Sequence, residues 1–91
     1  MHYREYFSWD VKNAANHFAK HSVRFEAATL IFEKRTVEVS QVRNGETRFL
    51  ALGQVEEITL AVVYSIVDGR HHLISARYAS RKERRIHASQ S

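Results

Sequence analysis

The chain has no cysteine and no proline, and only three glycines among 91 residues. Without cysteine there is no disulfide framework, no thiolate nucleophile and no thiolate metal site. That fits a reducing compartment, and the cytoplasm is the expected location. Without proline, and with so little glycine, no linker interrupts the chain. One domain over residues 1–91 is expected. No apolar run approaches the ~18 residues needed to cross a bilayer. The first ten residues, MHYREYFSWD, carry Arg4, Glu5 and Asp10 and lack the apolar centre of a signal peptide, so neither export nor membrane insertion is expected. There is also no H-E-x-x-H, no glycine-rich phosphate loop and no spacing that signals a Ser-His-Asp triad. No metal and no cofactor are therefore expected.

What the chain does have is an uneven charge. The net charge is +4, from 14 Lys and Arg against 10 Asp and Glu. Segment 70–86 holds Arg70, Arg77, Arg81, Lys82, Arg84 and Arg85 against Glu83 alone, a local +5; the other eight basic and nine acidic residues sum to −1. A local excess makes a positive field that attracts polyanions. The plain alternative is a solvated helix end.

The periodicity gives the order of elements. A first strand is expected over Tyr3–Phe7, with Tyr3, Glu5 and Phe7 on one face. Asp10 follows as an N-cap, its carboxylate placed to accept from free amides of a first helical turn. Val11, Ala14, Ala15 and Phe18 stand at i, i+3, i+4 and i+7 and predict one buried stripe, ending near His21-Ser22. A second short helix is expected from Phe25 to Glu33, with Ala28, Ile31 and Phe32 facing inward. From Arg35 the period becomes two. Strands are expected around Val37 and Val39, over Thr47–Leu52, Ile58–Val67 and Arg70–Ala76. The third of these, the near-continuous apolar run TLAVVYSIV, suits a central strand covered on both faces. Asp68-Gly69 signals a type I′ hairpin. Ser80 and Glu83 form a capping box, so a last helix starts at Arg81. The order β-α-α-β-β-β-β-α with antiparallel neighbours predicts an α+β fold, its sheet packed against N-terminal helices and followed by a basic C-terminal helix.

That last helix puts like charges together. Arg81 and Arg85 are i, i+4 neighbours, Arg81 and Arg84 i, i+3. Each such pair costs about 0.2–0.5 kcal/mol, and cations in a first turn oppose the helix dipole. Two penalties in one place suggest a field that is wanted, and Arg forks hold phosphate bidentately without losing charge. Arg84, Arg85 and Lys82 are therefore candidates for holding a nucleic-acid backbone. Cutting RNA without a metal needs a base for the 2′-hydroxyl and an acid for the leaving oxygen, and histidine titrates near neutrality. Of six histidines, His2, His17 and His87 read as solvated surface. His71 and His72 are consecutive on a strand, face opposite sides and read as strand surface. His21, after Lys20 at the end of the first helix, is either a C-terminal capping residue or a site residue.

Three segments together resemble the BrnT family of bacterial type II toxins. The first is Phe7-Ser-Trp-Asp10 with Lys12, Asn13, Ala14 and Asn16, then Lys20-His21 and Val23-Arg-Phe-Glu26-Ala27. The second is Glu46-Thr-Arg48-Phe-Leu-Ala-Leu-Gly53, and the third Ile74-Ser-Ala-Arg77 with Ser80, Arg81, Glu83 and Arg84. The match runs through nearly the whole chain in order. It departs at Val11, where the family has Pro, at Ser22, where it has Gly and a helix stop is weakened, and over Ser40–Gly45, a loop of different sequence.

The resemblance implies a RelE-like fold, a metal-independent ribonuclease that inhibits growth, and neutralisation by a cognate BrnA-like antitoxin with a ribbon-helix-helix part. It implies promoter DNA binding only through the antitoxin complex, and a possible homodimer within that complex. By position it makes Arg48, Arg77 and Arg81 a phosphate clamp in one cleft on one side of the sheet. Lys20 and His21 would be candidates for proton transfer or charge stabilisation. Glu46 either orients Arg48 or is an exposed loop carboxylate. Two other readings remain: a non-enzymatic nucleic-acid-binding module on the same scaffold, and a partner-binding module whose basic helix meets an acidic antitoxin segment.

Overall fold

The computed structural model describes residues 6–90. The elements are β1 (Phe7–Trp9), α1 (Val11–His21), α2 (Phe25–Ala28), a 3-10 turn (Thr29–Glu33), β2 (Val37–Arg43), β3 (Glu46–Val55), β4 (Ile58–Val67), β5 (Arg70–Tyr78) and α3 (Arg81–Gln90). They form one five-stranded sheet in the order β1-β5-β4-β3-β2. The apolar strand β4 is therefore the central one, as its sequence predicts. The fold is α+β, but the sheet is mixed. β1 runs parallel to β5, and the other neighbours are antiparallel.

Several expectations shift. Most of the first strand expected over Tyr3–Phe7 lies outside the described residues, and the observed strand starts at Phe7. β2 runs on to Arg43, through residues read as a loop, because Asn44-Gly45 turns the chain there with φ of 53° and 76°. Both central residues have the positive φ of a type I′ hairpin, the same device as Asp68-Gly69 (φ 52° and 75°). The second helix is one α turn that tightens into a 3-10 turn.

The caps behave as expected. Asp10 accepts from the Asn13 amide at 2.8 Å. Ser80 and Glu83 exchange the two capping-box bonds at 2.8 and 3.2 Å. Ser22 ends α1 at φ 61° although it is not glycine, its amide bonding the Phe18 carbonyl.

Helices cover both faces. On one, Phe25, Ala28 and Ile31 pack with Ala51, Leu60, Val62, Tyr64, Leu73 and Ala76. On the other, Ile86 of α3 packs against Val37, Leu52 and Ala61. α3 reaches β2 and β3, so it covers one end of this second face and leaves the other end open.

α1 sits differently from its expected packing. None of its residues is fully buried; Val11 is 78% exposed and Phe18 39%. The half-buried positions are Asn13, Ala14, His17 and His21. β1 is only three residues long and pairs β5 no further than Leu73. Beyond that point the Asn13 side chain donates to the Ile74 carbonyl at 2.8 Å. α1 thus lies along the outer edge of β5, where a polar residue is needed because backbone groups there lack a strand.

Candidate active site

The open end of the second sheet face carries a cross-strand row. The registers are Gln41↔Arg48, Ser65↔His72 and Ser8↔His72, while Phe49↔Tyr64 places Arg48 beside Ser65. Side-chain alternation puts Ser8, Arg48, Ser65 and His72 on the same face as Leu52 and Ala61. Two adjoining hollows, of about 550 and 580 Å³, lie over this row and share Arg48 and Ile74. The first runs past Ser65 and His72 to Asp10, Lys12 and Asn13 at the start of α1. The second runs past Val63 and Ser75 to Gln41 and Arg43 on β2 and His17 on α1. Together they make one groove, walled by α1 on one side and the β2–β3 hairpin on the other.

The charges in the groove are mixed. Lys12, Arg43 and Arg48 bring positive charge, Asp10 and Glu46 negative. Both carboxylates have partners: Asp10 caps α1, and Glu46 accepts from Arg48 Nε at 3.3 Å. The latter pair is exposed and long, and pairs of that kind are weak, so Arg48 can exchange Glu46 for a phosphate oxygen.

Arg77 lies on the same face as Arg48, opposite Ala61. It is four residues along the strands and two strands across, roughly 17 Å between Cα atoms at ~3.4 Å per residue and ~4.8 Å per strand. Its guanidinium is engaged, donating to both Glu83 oxygens at 2.7 and 2.9 Å. This contact is the main cause holding the Glu83 carboxyl down at about 2. Arg84 donates to the Ala79 carbonyl at 2.9 Å. Arg81, Lys82 and Arg85 are exposed on α3. None of these five lines the groove, among the described residues.

At the C-terminal end of α1, Lys20 is exposed and His21 half-buried, and neither lines the groove. His21 stacks on His17 with ring centroids 5.7 Å apart. His17 is not the solvated side chain its position suggested. Burial, and then the neighbouring His21 and Lys20, push its pKa down, and its ring also meets Phe25 at 5.8 Å. His2 lies outside the described residues. His87 is on the inner face of α3, 6% exposed, again not surface.

The pair His71-His72 divides as alternation requires, but neither is simple strand surface. His71 is stacked on Tyr64 at 4.4 Å and meets Phe32 at 4.9 Å, and burial lowers its pKa. Tyr64 in turn donates to Glu38, and its pKa is raised by burial first and by that carboxylate second. His72 faces the groove, with Nδ1 2.9 Å from Ser8 Oγ. Sequence reasoning reads His72 as strand surface and gives Ser8 no role of its own. The available signal was that one of two consecutive strand histidines must face the side the helices leave open.

Among the described residues, no three His, Asp or Glu side chains stand close enough to hold a metal ion, and no helix is long and apolar enough to cross a membrane. No match to an individually curated protein was found. A family model does match, over residues 9–83. This span takes in strands β2 to β5, α1, the residues lining the two hollows and the start of α3, with Phe7 and Ser8 of β1 outside it, and the chain belongs to the BrnT family, the ribonuclease toxins of type II toxin-antitoxin systems.

Proposed function

We propose that this chain cuts cellular RNA by metal-independent transesterification in the groove on the open sheet face. The scaffold in this reading is RelE-like and acts as one domain in the cytoplasm. The observation that carries the reading is Arg48. It stands on the groove floor between two strands, held among the described residues only by a long exposed contact to Glu46, and it is shared by both hollows. Such a guanidinium can take a phosphate and hold the charge that grows as the 2′-oxygen attacks phosphorus. The two groove carboxylates stand apart in their roles, Asp10 capping a helix and Glu46 facing Arg48.

In this reading Arg77 acts through Glu83, keeping α3 in place beside the groove. Arg81, Lys82, Arg84 and Arg85 supply the field that draws in the RNA backbone. Lys20 and His21 extend that field along α1.

A toxin of a type II system has an antitoxin partner. We infer a small BrnA-like protein with a ribbon-helix-helix part, through which the complex binds promoter DNA and in which two toxin chains pair. Val11, Phe18, Ile58 and Tyr78 are exposed apolar side chains that give such a partner a surface.

The test is induced expression in a bacterial host, with and without the neighbouring gene, alongside cleavage of RNA by the purified chain. Growth arrest, RNA loss, relief by the neighbour, chelator-resistant cleavage and inactivity of Arg48→Ala are expected. Chelator-sensitive cleavage, or full turnover by Arg48→Ala, rejects the reading. The engagement of Arg77 by Glu83 favours one alternative, a non-enzymatic module in which α3 alone holds nucleic acid. That module would bind RNA with salt dependence and leave it intact.

A further inference from the structure

We propose that His72 is the general base of the groove and that Ser8 is its positioning residue. The assignment rests on the reading that RNA is cut at Arg48, and goes beyond it by naming the atom that takes the proton.

The geometry selects His72 among the histidines. His71 is enclosed by Phe7, Phe32 and Tyr64. His87 is buried on the inner face of α3. His17 and His21 are stacked on each other, and His17 Nδ1 is sealed from solvent without a hydrogen-bond partner among the described residues. His72 faces the groove with one nitrogen already fixed, Nδ1 standing 2.9 Å from Ser8 Oγ. A serine oxygen accepts from Nδ1–H in the neutral ring and again in the imidazolium. With the proton on Nδ1, the tautomer this proposal requires, Ser8 holds the ring in one orientation before and after proton transfer and leaves the Nε2 lone pair free.

The contact also depends on the fold. Ser8 and His72 are register partners across the parallel β1–β5 pair, so the base is oriented by the strand pairing that starts the chain's core. Arg48 lies in the same row, two strands from His72, roughly 10 Å between Cα atoms at ~4.8 Å per strand. Ser65 lies between them. A phosphodiester over Ser65 would meet a guanidinium on one side and an imidazole on the other. The charged groups that face His72 across this hollow are Arg48 and Glu46 from β3 and Asp10 and Lys12 from the start of α1.

The reaction balances without another reactant. Nε2 of His72 takes the 2′-hydroxyl proton, the O2′–P bond forms and the P–O5′ bond breaks. The 5′ oxygen takes a proton from water, and the imidazolium returns its own to the hydroxide left behind. The products are a 2′,3′-cyclic phosphate end and a 5′-hydroxyl end.

The experiment measures turnover at saturating labelled RNA, RNA affinity and thermal midpoint across pH 5 to 9. The proteins are wild type, Arg48→Ala, Ser8→Ala, His72→Asn and His72→Gln; the two His72 variants each keep one hydrogen-bonding position of the ring. Loss of a general base predicts a fall of about 10²–10⁴ in turnover for both His72 variants, with RNA affinity within about twofold and loss of the acid limb of the wild-type pH profile. Ser8→Ala should lower turnover less and retain that limb. If Arg48→Ala is inactive while either folded His72 variant keeps wild-type turnover or the wild-type acid limb, His72 is not the base and the groove still stands. If Arg48→Ala is fully active, or wild type leaves RNA intact, the groove reading fails and this assignment fails with it.

Discussion

Arg77 holds Glu83 with both ends of its guanidinium, at 2.7 and 2.9 Å, and Glu83 at the same time accepts the Ser80 amide. One carboxylate thus caps α3 and ties it to β5. The sequence reading places Arg77 at a solvent-facing anion site; in the structure it is a joint between two elements. Arg77→Ala is therefore expected to lower stability by about 1–3 kcal/mol, because it leaves a largely covered carboxylate short of its charged donors. Urea unfolding of the variant against wild type checks this, and a change within error would show that α3 docks without the pair.

The same pair sets a pH dependence. Glu83 titrates at about 2 when folded, against 4.5 ordinarily, chiefly through its hydrogen bonds to Arg77. A depressed carboxylate stabilises the folded state fully above its unfolded pKa, and this contribution is lost as pH falls through the window from 4.5 to about 2. With Arg77 partly exposed, the loss should be on the order of 1–2 kcal/mol after allowing for solvent screening. Thermal midpoints from pH 6 to 2 should fall more steeply for wild type than for Glu83→Gln. Parallel curves would mean another carboxylate governs the acid limb of stability.

Arg84 and Arg85 are neighbours in sequence with different expected roles. Both are exposed, but Arg84 donates to the Ala79 carbonyl between β5 and α3. Arg84→Ala should cost about 1–2 kcal/mol for the lost charged donor. Arg85→Ala should stay within about ±0.5 kcal/mol and instead weaken RNA binding, lowering the salt slope by about one. Unfolding curves and RNA affinity at several salt concentrations separate the two; equal stability losses would remove the distinction.

Much of this architecture is legible from local signals. Asp10, Ser80 with Glu83 and Asp68-Gly69 mark boundaries through hydrogen bonds and backbone angles confined to a few residues, and the structure has each of them. The apolar run of β4 announces a strand covered on both sides. What the sequence does not carry is which side remains uncovered. That depends on how far α3 reaches across β2 and β3 and on β1 being three residues long. Both are tertiary facts, and they decide that His72 faces a groove while His71 is enclosed by rings. The grouping of Arg48 with Arg77 and Arg81 came from family-like motifs. Motif spacing reports order along the chain, not the distance across the sheet from Arg48 on β3, past β4, to Arg77 on β5.

Gly53 is a packing requirement rather than a flexible point. A Cβ there would stand 2.7 Å from Ile31 Cβ and 3.1 Å from Thr36 Cγ2. The 3-10 turn can lie this close to β3 only because residue 53 has no side chain. Gly53→Ala should cost about 1–3 kcal/mol, the usual penalty for overpacking a core. Its thermal midpoint tests this. A neutral result would mean the turn can shift away from β3 at no cost.

The orientation of α1 makes the last prediction. Its sequence offers Val11, Ala14, Ala15 and Phe18 as one apolar stripe, and ordinary helix packing would bury it. In the structure only Ala14 of the stripe packs against the core; the other half-buried positions are polar, with Asn13 closing the edge of β5 and His17 against Phe25, and Val11, Ala15 and Phe18 are exposed. The two arrangements predict opposite mutational patterns. If the stripe faces solvent, Val11→Gln should be neutral or slightly stabilising, because glutamine is the better helix former by a few tenths of a kcal/mol. Phe18→Gln should cost about 0.5–1 kcal/mol, mostly for losing Arg24, whose guanidinium lies 4.4 Å over the ring. Asn13→Ala should cost more than either, about 1–3 kcal/mol, since it leaves the Ile74 carbonyl without its donor at the strand edge. A buried stripe would reverse this order, with Phe18→Gln costing several kcal/mol and Asn13→Ala almost nothing. Denaturant unfolding of the three variants, with Phe25→Ala as a core reference expected to lose about 3–5 kcal/mol, reads the order directly. Only the first order is compatible with α1 forming a polar wall of the groove.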